Sequence, residues 1–238
     1  MSELALLKER YASFLPEKLP WARLDAFYAE LLNVARPNGF VGKADDAEIW
    51  RRHILDSLVP LSKAKDLLAG SKVVDLGSGA GLPAIPLALS VPSAEFLLIE
   101  AHKRRAHFLT GVKAKLEIDN MQVAASRVED CGAEAEVVTL RAFRKPLVAL
   151  ELALYVCRPG GKILYWRSQR FDQSSSPLAE EVSARLKDMN IKVESYSKFD
   201  LPPEIGQRGL MVFSYGGSEH FPRSIRQIEK DKLAQQID

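Results

Sequence analysis

Apolar residues first recur at helical spacing. Leu24, Phe27, Tyr28, Leu31 and Leu32 fall on one face, and Ile49, Ile54, Leu55 and Leu58 repeat the pattern. Between these helices Arg36-Pro37-Asn38-Gly39-Phe40-Val41-Gly42 has the residues of a turn, and Asp45 or Asp46 stands where the second helix needs an N-cap. From Lys72 the period changes. Val73-Val74-Asp75-Leu76 is a short apolar β run closed by glycines, Leu82 to Leu89 a helix, Glu95 to Glu100 a second strand, and Lys103 to Leu116 an amphipathic helix. The alternation continues through strands at Met121–Ala125 and Val137–Leu140, a helix at Pro146–Val156, the Arg158-Pro159-Gly160-Gly161 turn, and a strand at Lys162–Trp166.

Strands alternating with helices predict an α/β fold: a doubly wound, Rossmann-like, mostly parallel sheet of about seven strands, with ligands taken at the carboxyl ends of the strands. The end of the chain breaks the rhythm. A Ser-rich loop at Ser174 to Ser176 and a helix near Leu178 to Met189 lead to Lys192–Tyr196 and Gly209–Phe213, the pattern of a terminal antiparallel pair. Three segments follow from this: a helical extension over 1–63, the α/β core over 64–216, and a basic tail over 217–238 that carries Arg223, Arg226, Lys230 and Lys232.

The most informative stretch is Asp75-Leu76-Gly77-Ser78-Gly79-Ala80-Gly81-Leu82-Pro83, since glycines between a strand and a helix let backbone approach a ligand where a side chain would collide. A dinucleotide site needs G-x-G-x-x-G, and its third glycine would fall on Leu82. Here the spacing is acidic-x-G-x-G-x-G instead. Asp75 suits an ammonium or a ribose hydroxyl better than a pyrophosphate, and Glu100, closing the second strand, can accept both hydroxyls of a ribose. S-adenosylmethionine carries a ribose diol, a sulfonium and an amino-acid end but no phosphate, and an acidic pocket fits it.

Composition narrows the function further. Of 238 residues 47% are hydrophobic and 27% charged, enough for a sizeable core, and a net charge of +2 excludes a polycation that coats nucleic acid indiscriminately. Cys131 and Cys157 have neither metal-ligand spacing nor histidines placed around them, which predicts buried free thiols and no metal. The start MSELALLKERY is charged where a secretory signal is apolar, and no run approaches the roughly 18 to 20 apolar residues of a membrane span. A cytoplasmic protein is expected, with no membrane partner, and a monomer is favoured.

The chain resembles the RsmG (GidB) methyltransferases, which modify N7 of a guanine in small-subunit ribosomal RNA. The resemblance spans most of the chain and rests on Arg52-His53-Ile54-Leu55-Asp56-Ser57-Leu58, on Asp75 to Pro83 with Ile85-Pro86-Leu87-Ala88, and on Glu100 with Lys103-Arg104-Arg105. Ser126-Arg127-Val128-Glu129, Leu140-Arg141-Ala142-Phe143 and Gly206-Gln207-Arg208-Gly209-Leu210 complete it. It implies a class I methyltransferase fold, S-adenosylmethionine as cofactor, and ribosomal RNA or the small ribosomal subunit as partner. By the same resemblance Gly77, Leu82, Val128, Glu129 and Arg141 line the cofactor site, joining Asp75, Gly79, Gly81 and Glu100.

Guanine N7 presents a lone pair, so it can attack a sulfonium methyl without a general base. Arg141 and His53 are the candidate catalytic residues, though a histidine on an amphipathic helix also serves as a hydrogen-bonded structural group that Asp56 can orient. Arg52, Arg144, Lys145, Arg167, Arg208 and Arg223 are the candidate phosphate contacts, with Phe143, Tyr165 and Trp166 available to stack an extruded base. Two other readings stay open on the residues alone: a methyltransferase with another substrate, and an RNA-binding protein without catalysis.

Overall fold

A computed structural model describes residues 3–168, 179–202 and 205–231. The expected loop at Ser174–Ser176, Arg170 and Lys232 lie outside the described residues. The N-terminal region comprises α1 (Glu3–Arg10), α2 (Trp21–Glu30), α3 (Asp46–Ile49), α4 (Asp56–Leu58) and α5 (Leu61–Leu68). Wider π turns at Leu31–Ala35 and Trp50–Leu55 follow α2 and α3. Asp45 is the cap: its Oδ1 accepts from the Glu48 amide at 2.6 Å and satisfies a donor that the helix start leaves without a partner.

The core then alternates β1 (Lys72–Leu76), α6 (Ala84–Ser90), β2 (Glu95–Ile99), α7 (Lys103–Lys115), β3 (Met121–Ala124), β4 (Ala135–Arg141), α8 (Pro146–Ala153) and β5 (Cys157–Ser168). It closes with α9 (Ala179–Asp188), β6 (Ile191–Asp200), β7 (Gln207–Tyr215) and α10 (Ile225–Lys230). The seven strands lie in the order β3-β2-β1-β4-β5-β7-β6. β1 pairs parallel with β2 and β4, β2 with β3, and β4 with β5, while β7 runs antiparallel to both β5 and β6. The order reverses between β1 and β4, and there the carboxyl ends of the strands open a crevice.

Side chains alternate across the sheet into two apolar layers. Val73, Val137, Leu164, Trp166 and Val212 join one layer, shared with α2, α6, α7 and the rest of the N-terminal region. Val74, Val138, Ile163, Tyr165 and Phe213 join the other, under α8 and α9, together with Ile228 of α10. The N-terminal extension is therefore part of the layer that covers one face of the sheet. Trp50 and Tyr11, both fully buried, stack at 5.9 Å, and Lys115 of α7 reaches Glu30 of α2 at 2.5 Å. Arg23 caps the end of α7 by donating to the Leu116 and Glu117 carbonyls at 2.7 and 2.8 Å. Cys157 is buried, and burial pushes its thiol up to about 12, but Cys131 is only half-buried, on the short turn after β3. No helix among the described residues is long and apolar enough to cross a membrane.

Candidate active site

The glycine turn after β1 takes positive φ at Gly77, Gly79 and Gly81, with values of 65, 57 and 86°, a region that residues with a Cβ rarely enter. Five of its amides are already committed. Those of Gly77 and Ser78 donate to the Ile99 carbonyl at 2.9 and 3.2 Å, those of Gly81 and Leu82 to the Ser78 carbonyl at 2.6 and 3.3 Å, and that of Gly79 to Glu100 Oε2 at 2.8 Å. A pyrophosphate is held by N–H groups pointing outward from such a turn, and here a protein carboxylate fills the place of the anion. The other oxygen of Glu100 accepts from the His102 amide at 2.8 Å, and the side chain is 3% exposed. The His102 ring Nδ1 also stands 3.1 Å from that oxygen, so Oε2 keeps a lone pair for one ribose hydroxyl and the exposed His102 ring must turn aside for the second.

Two cavities open at this crevice among the described residues. The first, about 500 Å³, is bounded by Gly77 after β1, Glu100 after β2, Val128 and Glu129 after β3, Phe143 and Lys145 after β4, and Val148 and Leu152 of α8. Ile225, Ile228 and Glu229 of α10 complete its wall. Glu100 at one side and an apolar wall of Val128, Val148 and Leu152 opposite fit an adenosine such as that of S-adenosylmethionine, with Arg105, Arg127, Arg144 and Lys145 also on the wall. Phe143 lies so close over Gly77 that a Cβ there would stand 2.0 Å from its ring.

The second cavity, about 480 Å³, lies between the ends of β4 and β5 and the N-terminal region. Arg51, Arg52, Arg141, Arg167 and Arg208 line it, with His53, Asp56, Tyr165 and Trp166. Asp56 is its pivot. One oxygen meets Arg141 Nη2 at 2.6 Å, the other takes Nε of Arg208, and all three side chains are at most 15% exposed. Arg141 also donates to Ser57 Oγ at 2.9 Å and to the Arg52 carbonyl at 2.5 Å, so β4 is tied to the Trp50–Leu55 π turn, a distortion common at functional sites. Ala142, next in the chain, takes φ 48° and belongs to the walls of both cavities. A non-glycine residue held in that conformation stores roughly 1–3 kcal/mol, which the clamp on Arg141 sustains.

Two titrating groups are displaced from their ordinary ranges. Burial pushes His53 from 6.5 down to about 4, helped by the Arg141 charge, so at neutral pH it is a neutral imidazole whose buried Nδ1 has no partner among the described residues. Asp75 is 1% exposed below the glycine turn and accepts from Thr139 Oγ1 at 2.6 Å, and burial raises it from 3.8 to about 6. The signs are opposite. Between pH 4 and 6 the folded state binds the extra proton at Asp75 and stability falls as pH rises, whereas the unfolded state binds more at His53 and stability rises. An Asp75→Asn variant isolates the first effect. Relative to the unmutated protein, its unfolding free energy should grow by about 2 to 3 kcal/mol from about pH 4 to about pH 6.5 in urea titrations, and a pH-independent difference would refute the assignment.

The sequence profile of the GidB family, rRNA small subunit methyltransferase G, matches residues 21–198. The chain belongs to the GidB family. Two curated relatives, each named Ribosomal RNA small subunit methyltransferase G, come from Acidothermus cellulolyticus and Sorangium cellulosum. The first is 38% identical over 67% of this chain and 70% of its own length, the second 35% identical over 64% and 66%. Among solved structures, a putative O-methyltransferase from Klebsiella pneumoniae shares the fold, with a TM-score of 0.56 and 16% identity over 90% of this chain and 97% of that one.

In this GidB-family chain the expected site residues separate into three groups. Gly77, Glu100, Val128 and Glu129 line the first cavity, and Arg144 and Lys145 lie on its wall rather than on the arginine-rich one. Arg52, His53, Arg141, Arg167 and Arg208 line the second. Arg141, expected at the cofactor, instead clamps the N-terminal region. Asp75, Gly79, Gly81 and Leu82 line neither cavity: Asp75 is sealed beneath the turn, Gly79 serves Glu100, Gly81 packs against Ile85, and Leu82 packs into the layer on the N-terminal side.

Three expectations are corrected. Arg208, expected at RNA phosphate, is spent inside the fold, its Nε on Asp56 and its Nη1 on the Ile205 and Gln207 carbonyls. Arg223 does not present its charge to RNA phosphate, because Glu151 and Asp231 hold its guanidinium in the fold at 2.5 and 2.8 Å. Asp56 does not orient His53, since its oxygens are taken by Arg141 and Arg208. The sequence reading passed over Thr139 and the wall from α10, and gave no role to Ser57 and Ala142 although both stand in its motifs. Only α10 left a local signal, the Ser224-x-x-Gln227 capping box.

Proposed function

We propose that this protein transfers the methyl group of S-adenosylmethionine to N7 of a guanine in small-subunit (16S) ribosomal RNA, acting in the cytoplasm as a monomer without metal. The observation that carries the reading is the meeting, at Ala142, of an adenosine-sized cavity that holds Glu100 and an arginine-rich cavity. S-adenosylmethionine, when bound, supplies an electrophilic methyl on a sulfonium.

The chain's own residues orient and shield. Glu100 accepts the ribose hydroxyls, while Val128 and Leu152 give the adenine an apolar seat. Arg51, Arg52 and Arg167 take phosphates around a guanine turned out of its stack, while Arg208 stays with Asp56. N7 needs no deprotonation, which agrees with a histidine held neutral beside it. Catalysis then rests on alignment across Ala142, an effect that reaches several kcal/mol when reactants are held in line.

The deciding experiment supplies small subunits from cells lacking the enzyme, with labelled S-adenosylmethionine, and maps the product by mass spectrometry. One 7-methylguanosine is expected in 16S RNA; no label in RNA, or label on another atom, overturns the reading. A second expectation concerns salt. With about three arginine–phosphate contacts, affinity for a single-stranded target should fall about twenty-fold between about 50 and about 200 mM salt, and a flat response would remove the phosphate contacts.

A further inference from the structure

The C-terminal segment that reads in sequence as a solvent-facing basic tail is built into the wall of the first cavity. We propose that α10 is part of the cofactor site, its Ile225 and Ile228 forming one side of the adenine subsite and the Arg223–Glu151 pair latching it in place. The inference rests on the cofactor reading above and extends it to a segment beyond the 21–198 family match.

The latch is a built feature. Glu151 of α8 is 1% exposed, and a carboxylate buried to that degree is tolerated only when paired and hydrogen-bonded. Arg223 supplies both: Nε to Oε1 at 2.6 Å, Nη2 to Oε2 at 2.5 Å, and its backbone amide to Oε1 at 3.2 Å. The Tyr155 hydroxyl donates to the Arg223 carbonyl at 2.8 Å, and Asp231 beyond α10 binds both Arg223 and Arg185 of α9. The segment is therefore fixed at both ends against α8 and α9. A Ser224–Gln227 capping box starts the helix at the point where Ile225 enters the wall.

Geometry assigns the occupant. The transferable methyl must face the arginine-rich cavity, so the sulfonium lies at the Ala142 end, while Glu100 sets the ribose. The adenine, on the far side of the ribose, then meets the remaining apolar wall, which is Val128, Val148, Leu152, Ile225 and Ile228. A flat, largely apolar heterocycle suits that surface, and Glu229 at its rim offers an acceptor for an exocyclic amine.

The test measures binding of S-adenosylhomocysteine and of adenosine by calorimetry to the full chain, to Ile225→Asn and to Arg223→Gln, with thermal melts alongside. Ile225 is half-buried, so that variant keeps the fold even if loss of the Glu151 partner destabilises the other. Both ligands should bind Ile225→Asn at least tenfold more weakly, by the same factor, since they share the adenine and differ in the amino-acid end. Affinities within twofold of the unmutated chain, or weakening confined to S-adenosylhomocysteine, overturn the inference and leave the cofactor reading standing. An unmutated chain that binds neither ligand overturns both.

Discussion

Asp56→Ala is expected to lower the unfolding free energy by about 3–5 kcal/mol, the usual cost of removing one partner from a buried ion pair. The change leaves two guanidinium groups, Arg141 and Arg208, without their carboxylate in a region where each is at most 15% exposed. Arg141 keeps Ser57 and the Arg52 carbonyl, but these are neutral acceptors. Urea titration at constant m-value reads the loss directly. The functional loss should be larger than stability alone explains, because the clamp also sustains the positive φ at Ala142 between the two cavities. An Asp56→Ala/Arg208→Met double variant should recover part of the stability, one stranded charge being gone, without recovering methylation. A single Asp56→Ala variant within about 0.5 kcal/mol of the unmutated chain would show that the pair is only a surface contact.

Glu100→Ala should weaken S-adenosylhomocysteine binding by at least about a hundredfold, close to 3 kcal/mol. Two losses combine. The ribose loses its acceptor, and the Gly79 and His102 amides lose a charged partner, each such hydrogen bond contributing about 1.5–3 kcal/mol. The turn then opens as an anion site, so hydrogen exchange at Gly79 should quicken even before ligand is added. Glu100→Gln separates the two losses: its amide oxygen can serve one backbone donor, but its NH₂ group faces the other. If alanine and glutamine variants bind as the unmutated chain does, Glu100 serves the turn alone and the ribose lies elsewhere.

Both results concern contacts between residues far apart in the chain, and this is where reading the sequence reached its limit. Gly77-Ser78-Gly79-Ala80-Gly81 announces a close backbone approach, because positive φ between strand and helix is a local demand that glycine meets. Glu100 was found from its place after the second strand. That Glu100 would occupy the turn's own amides was not visible, for the bond joins residues 21 apart through a parallel pairing. The arginines were visible as charges but not as partners. Arg208 and Asp56 are 152 positions apart, and nothing local separates an arginine bound for phosphate from one bound for a buried carboxylate. The C-terminal segment misled for the same reason: Arg223 reads as a tail charge until Glu151, 72 positions earlier, is seen beneath it.

Short-range physics in the sequence determined the helices, the strands, their alternation and the glycine turn, since hydrophobic period and backbone permissiveness act within a few residues. Tertiary structure alone decided which charges are spent on one another, which glycines touch a ligand space and which merely pack, and that α10 closes the cavity. Those outcomes depend on desolvation, and a side chain loses its water only when distant parts of the chain close over it.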